Sequence, residues 1–313
     1  MNNGALPNKN IFKAYDIRGV VNQDLTTPIV KKIGQAIGSM ALSKKQENIC
    51  VGYDGRLSSP QLAKALINGI LSTGIDVTNI GLCTTPMLYF SNYHLSTGTG
   101  VMITGSHNPP EYNGFKIVIN EKTLSSDEIQ HLYKIILNSS YQNGKGQEKS
   151  LSVKNAYLKK ISSSIKLKRP MKIAIDCGNG AGGVCAQELF ENLGVDVEAI
   201  FCDVDGNFPN HHPDPSDPKN FQDLKRILKE GNSELGLAFD GDADRLGVIT
   251  KDGEIIFPDR QLLLFSDAVL KKNPGSSVIF DVKSSRHLFS WIRQRGGKPI
   301  IWKTGHSLIK QKM

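Results

Sequence analysis

Residues 49–74, ICVGYDGRLSSPQLAKALINGILSTG, carry the reading that decides the fold. Residues 49–54 are an apolar run that closes on Asp54, which reads as a buried strand. Gly55 and Arg56 turn the chain, and Ser58 or Ser59 followed by Pro60 opens a helix over 61–73. Gly74 stands where a left-handed helix cap is expected. Upstream, Ile29, Val30, Ile33, Ala36 and Ile37 recur at helical spacing and predict a helix over 28–40. Downstream, the strand VTNIG (77–81) and the loop Thr84-Thr85-Pro86 lead to another helix. Strand and helix alternate, so the fold class is α/β.

The same pattern of an apolar run ending on an aspartate and small residues returns at KIAIDCGNG (172–180), GLAFDGDADR (236–245) and SVIFDVKSS (277–285). These are read as strand ends of repeated α/β domains. Ligands bind outside the carboxyl ends of such strands, so the four loops are expected to meet at one cleft. A chain of 313 residues is long for one core. The polar stretch 138–150 marks the expected domain boundary, giving domains over 1–150, 151–256 and 257–313. The last segment is expected to hold a helix over 259–272, a strand over 277–282, a helix over 285–295 and a strand over 298–302.

Residues 101–117, VMITGSHNPPEYNGFKI, deliver Ser106 into a turn made rigid by Pro109 and Pro110. A serine so displayed beside His107 is a candidate nucleophile or phosphate carrier. In Asp240-Gly241-Asp242-Ala243-Asp244-Arg245, three carboxylates alternate on a tight loop, where they can surround one cation. Oxygen-only ligands select a hard ion such as Mg²⁺.

Composition excludes several classes. The formal net charge is +8, but the basic residues are dispersed, with no basic run or aromatic-interleaved motif for nucleic acid. No apolar run reaches the ~20 residues of a membrane span. The N-terminus lacks a secretory h-region. The five cysteines form no CxxC pair, which suits a reducing cytoplasm better than a disulfide framework. Gly178–Gly183 satisfies GxGxxG after a strand, with Asp203 twenty positions on, so an NAD(P)-binding enzyme is an alternative. Asp176, at the mouth where a pyrophosphate would sit, argues against it. The proline-rich loop 201–218, with His211 and His212, is expected to be solvated.

TGSHNP and DGDADR together resemble the active-site signatures of the α-D-phosphohexomutases, the phosphomannomutase/phosphoglucomutase family. YDIRG (15–19), FPNHHPDP (208–215) and KTGHSLIK (303–310) resemble further family segments. The resemblance implies phosphohexomutase-type α/β domains with mixed sheets. It also implies an isomerase that interconverts hexose 1-phosphate and 6-phosphate through a phosphoserine and a hexose 1,6-bisphosphate. By this resemblance Ser106 carries the phosphoryl group. Mg²⁺ is held by Asp240, Asp242, Asp244 and a phosphoserine oxygen of Ser106. Arg18, Lys116 and Arg245 neutralise charge, and His107, Lys116 and His306 are catalytic candidates. Tyr15, Lys283, Thr304, Gly305 and His306 line the sugar-phosphate site.

The resemblance covers about two thirds of a typical member: the third domain is incomplete, and the fourth, which grips the distal phosphate, is absent. These 313 residues alone are therefore expected to be a weak mutase, with a non-catalytic phosphosugar- or metal-binding remnant as the alternative.

Overall fold

The computed structural model describes residues 6–313, which form three sheets flanked by helices. The first sheet holds β1 (Ile17–Val20), β2 (Asn48–Tyr53), β3 (Asp76–Leu82), β4 (Gly100–Ile103), β5 (Tyr112–Ile119), β6 (Lys122–Thr123) and β7 (Glu148–Ser150). Its order is β1-β5-β4-β2-β3-β7, with β6 paired to β5. β4, β2, β3 and β7 run parallel, and β5 is antiparallel to both β1 and β4. The sheet is thus mixed.

Helices α1 (Thr27–Ser43), α2 (Ser59–Leu71) and α4 (Ser126–Leu137) share the larger core on this sheet, while α3 (Thr85–His94) and α5 (Lys154–Ser164) help cover a second one. Ile33, Ile37, Leu66 and Ile70 are fully buried between α1, α2 and the strands, each worth roughly 1.5–3 kcal/mol. α1 and α2 touch backbone to backbone. A Cβ on Gly34 would lie 2.2 Å from the carbonyl oxygen of Leu66, and one on Gly69 would lie 2.1 Å from that of Lys31. Only glycine permits that approach at either position.

The second sheet runs β12-β11-β10-β8-β9, built from β8 (Lys172–Asp176), β9 (Asp196–Ile200), β10 (Leu235–Phe239), β11 (Leu246–Thr250) and β12 (Ile255–Ile256). β10, β8 and β9 are parallel, with α6 (Ala186–Asn192) on one face and α7 (Gln222–Glu230) on the other. The third unit is the parallel pair β13 (Ser277–Asp281) and β14 (Lys298–Trp302), with α8 (Pro258–Lys272) and α9 (His287–Gln294).

The elements foreseen from spacing are present, most within two or three residues of the expected ends. Three features go beyond those expectations. The polar stretch 138–150 is no free linker, because Gly144 and Gly146 donate to the carbonyls of Ser72 and Leu71 and β7 adds to the sheet edge. Cys185 joins the core formed by Met87, Met102 and Leu158, so the first two units share buried apolar surface. Within the KTGHSLIK segment a helix, α10 (His306–Lys312), begins at His306.

Candidate active site

β4 ends at Ile103, and the next three residues place Ser106 at φ +52°, a left-handed conformation that a non-glycine residue adopts at a cost of about 1–3 kcal/mol. The surrounding contacts impose it. The N–H of Ser106 donates to Oγ1 of Thr104 at 2.7 Å, and the N–H of Gly105 donates to Oδ2 of Asp54 at 3.2 Å. Arg56 does the most. Its side chain is 1% exposed and donates to four backbone carbonyls of the serine loop: Ser106 at 2.9 Å, Asn108 at 2.6 Å, Pro109 at 2.6 Å and Tyr112 at 2.9 Å. Asp54, equally buried, balances its charge at 3.4 Å. Sequence reasoning placed Asp54 at the strand end and Arg56 in the turn after it, and gave the pair no role. The signal was an ion pair's worth of charge, Asp54 and Arg56, at the end of an otherwise apolar strand.

The DGDADR loop follows β10 and packs directly on the serine loop. A Cβ on Gly241 would lie 2.4 Å from the carbonyl oxygen of Ser106. Ser106 Oγ donates to Asp240 Oδ2 at 3.0 Å and lies 3.3 Å from His107 Nδ1. The other oxygen of Asp240 accepts the N–H groups of Asp244 and Arg245, both at 3.0 Å. Lys116, projecting from β5, donates to Asp242 and Asp244 at 2.5 Å each, and Thr85 donates to Asp242 at 2.5 Å.

The three aspartates place carboxylate oxygens within 4.8 Å of one another. Asp240 and Asp242 are fully buried, and Oδ1 of Asp242 has no hydrogen-bond partner. Burial, with repulsion from Asp242 and Asp244, pushes the Asp240 carboxyl well above the usual carboxylate range. Burial also opposes ionisation of Asp242, but the Lys116 ammonium overcomes it and holds that carboxyl low. Clustered negative charge, oxygen-only donors and a buried oxygen without a partner together fit a divalent hard cation. Mg²⁺ would be held there by Asp240, Asp242 and Asp244.

Arg18, Ser106, Lys116, Asp244, Arg245 and His306 line a common cleft of about 510 Å³. Arg18 is held by Asp16 at 2.6 Å and Asn108 at 2.7 Å, while its Nε is unpaired. The structure brings Tyr15 and Gly305 together as well: a Cβ on Gly305 would lie 2.6 Å from the Tyr15 ring. That ring meets the His306 imidazole edge-on. Thr304 instead bonds Asp281 at 3.0 Å, and Lys283 is an exposed residue whose N–H donates to the same aspartate. Neither lines the cleft around Ser106 in this arrangement.

The loop 201–218 is not the solvated stretch expected. Phe208 is buried with the Arg56 guanidinium over its ring, and Pro213 packs on Gly178. His212 Nε2 donates to the carbonyl of His107 at 2.5 Å. His211 Nε2 donates to Asp176 at 2.8 Å, and although burial disfavours its charge, that carboxylate keeps the imidazole more basic than usual. The loop thus fastens the second sheet to the serine loop. The glycines of 178–183 serve the same joint. Ala181 donates its N–H to the carbonyl of Gly241 at 2.9 Å, and a Cβ on Gly180 would lie 2.9 Å from that same oxygen. The backbone a dinucleotide phosphate would need is occupied by the aspartate loop.

Burial, assisted by Lys116 and Lys310, lowers the His306 pKa to about 4. The unfolded chain therefore binds a proton near pH 6.5 that the folded chain refuses, and stability falls as pH drops through the window from 6.5 to 4. For His306 alone the loss between pH 7.5 and pH 5 is about 2 kcal/mol. Urea unfolding of wild type and His306→Gln at both pH values checks it: the variant should lose less stability than wild type by roughly that amount, and parallel losses would refute the assignment.

Family models for the phosphoglucomutase/phosphomannomutase α/β/α domains I, II and III match residues 9–143, 155–253 and 257–313. A phosphoglucomutase of Neisseria meningitidis serogroup B is 55% identical over 306 residues, covering 96% of this chain and 66% of its own length. A phosphomannomutase/phosphoglucomutase of Pseudomonas aeruginosa is 50% identical over 304 residues, covering 97% and 66%. The crystal structure of a phosphoglucomutase/phosphomannomutase family protein from Burkholderia thailandensis superposes with a TM-score of 0.95 at 46% identity, covering 98% of this chain and 69% of that one. The chain belongs to the phosphoglucomutase/phosphomannomutase family, the α-D-phosphohexomutases. It spans about two thirds of the length of the curated relatives it matches. Among the described residues no helix is long and apolar enough to cross a membrane.

Proposed function

We propose that this chain carries the phosphoryl-transfer half of a Mg²⁺-dependent phosphohexomutase acting between hexose 1-phosphate and hexose 6-phosphate. The observation that carries the reading is the contact of Ser106 Oγ with Asp240 Oδ2 at 3.0 Å, made across two separate sheets at the floor of a cleft lined by Arg18, Lys116 and Arg245.

In this reading Ser106 is the phosphoryl carrier. A hydroxyl of the bound hexose phosphate attacks the phosphorus on Ser106 Oγ, the Oγ–P bond breaks, and a hexose 1,6-bisphosphate results. After the sugar turns over, its other phosphate returns to Ser106. Charge on the transferring group is the main obstacle, so positioning and neutralisation carry most of the rate. Arg18 has an unpaired Nε and a planar fork suited to phosphate oxygens, and Arg245 faces the same space. Bound at Asp240, Asp242 and Asp244, Mg²⁺ would supply positive charge beside the phosphoserine. Lys116, with its ammonium donating to two carboxylates, serves as a fixed positive charge. The sugar hydroxyl's proton needs an acceptor. His306 suits that task, since its buried Nε2 has no partner and its ring faces the cleft as a neutral imidazole. His107, hydrogen-bonded to Ser106 Oγ, orients the carrier hydroxyl.

The test is incubation of the chain with glucose 1,6-bisphosphate and Mg²⁺, followed by intact mass and peptide mapping. One added phosphate on the peptide containing Ser106 is expected, with none taken up by Ser106→Ala. Phosphate found only on other residues, or equal uptake by the alanine variant, would end the assignment.

A further inference from the structure

Cys177 and Cys202 stand 25 positions apart in sequence, yet their sulfurs lie 3.2 Å apart where the neighbouring parallel strands β8 and β9 end. Spacing alone gave no hint of a pair. The chain holds both ends in place without help from the sulfurs. The Cys177 N–H donates to the carbonyl of Ile200 at 3.3 Å, and that of Asn179 to the carbonyl of Phe201 at 2.7 Å. The Asn179 side chain donates to the carbonyl of Asp203 at 2.9 Å. A Cβ on Gly183 would lie 1.8 Å from the carbonyl oxygen of Cys202, so the turn after β8 is pressed against the chain leaving β9. Cys177 is buried, whereas Cys202 is partly open to solvent. The other three cysteines are buried.

We propose that Cys177 and Cys202 are a redox-modifiable dithiol that closes to a disulfide when the chain meets a peroxide. The open member reacts first. The Cys202 thiolate attacks one peroxide oxygen, the O–O bond breaks, and a sulfenic acid forms as the first water is released. The Cys177 sulfur then attacks the Cys202 sulfur, the S–O bond breaks, and the second water leaves with the Cys177 proton. Two thiols and one hydrogen peroxide give one disulfide and two waters. The contact with Cys177 holds the Cys202 thiol below its ordinary range and pushes Cys177 up, as expected when two sulfurs share one proton. Exposure makes Cys202 the attacking sulfur, and the buried resolving sulfur is already in reach of it. The sulfurs need only approach to about 2.05 Å, a movement of roughly 1 Å for two side chains on an ordered frame.

The test treats the reduced 313-residue chain with stoichiometric hydrogen peroxide at pH 8 and counts thiols after denaturation. The count should fall from five to three, with a loss of 2 Da and a dithiothreitol-sensitive crosslink between the Cys177 and Cys202 peptides. Cys177→Ser removes the resolving sulfur and should leave a sulfenic acid on Cys202 that dimedone traps, whereas Cys202→Ser should keep all four remaining thiols. Retention of five thiols, sulfinic acid on Cys202 of the wild type in place of a bond, or a disulfide joining other cysteines or two chains would overturn the proposal.

Discussion

Replacing Asp242 by asparagine is expected to lower the affinity for Mg²⁺ at the proposed site by about a hundredfold or more, and to loosen the fold before any metal is added. The first effect follows from removing one of three clustered carboxylates, together with the charge that draws a hard cation. The second follows from burial. Asp242 is 0% exposed and Lys116 is 4% exposed, so their contact is an ion pair taken out of water. Asparagine keeps an oxygen for Thr85 but leaves Lys116 with Asp244 as its one carboxylate. Breaking a buried pair from one side costs about 3–5 kcal/mol, reduced here by the surviving partner to about 2–3 kcal/mol. Metal titration by calorimetry and urea unfolding in a chelator measure the two effects separately. Unchanged metal affinity would return DGDADR to the status of a structural turn, and unchanged stability would mean Lys116 finds another counter-charge.

Arg56→Met is the most destabilising single change expected outside the apolar cores, at about 4 kcal/mol or more. The guanidinium closes four carbonyls of the serine loop and neutralises Asp54, which is 1% exposed. A thioether fills much of the space but makes none of those four hydrogen bonds and leaves the buried Asp54 carboxylate without its counter-charge. Lysine restores the charge, yet its compact ammonium cannot reproduce a planar fork that reaches four oxygens, so Arg56→Lys recovers only part of the loss. The serine loop should open with it. Proteolytic cleavage within residues 104–111 should quicken in both variants, and phosphate uptake at Ser106 should fall. If Arg56→Lys unfolds within about 1 kcal/mol of wild type, the loop's shape does not depend on this network.

These two residues divide along the line between what was legible and what was not. Asp242 was legible as a candidate metal ligand because that chemistry is local: alternating carboxylates on a glycine turn can converge on one ion whatever surrounds them. The same holds for the strand–helix alternation. Hydrophobic period, proline at helix starts and glycine beyond helix ends act within a few residues, so many elements of the first and third units, and the strand ends of the second, were readable in order. Ser106 on its proline turn was readable for the same reason.

Contacts between distant segments were not. Arg56 looked like a turn residue, and nothing in its neighbourhood says that it reaches carbonyls 50 to 56 positions away. Residues 201–218 looked solvated, because prolines and charges at high density usually are. They fold instead into the joint between two sheets, where His211 and His212 find Asp176 and the His107 carbonyl. The glycines of 178–183 matched a dinucleotide pattern on spacing, and only the approach of Gly241 shows which backbone they make room for. The sequence by itself determined the α/β class, the order of many of the elements, and which serine and aspartates stand as the site candidates. The tertiary structure decided which loops meet, since that depends on strand order and shared burial between segments more than a hundred residues apart. It also decided that Ser106 and Asp240, 134 positions from each other, hold one hydrogen bond between them.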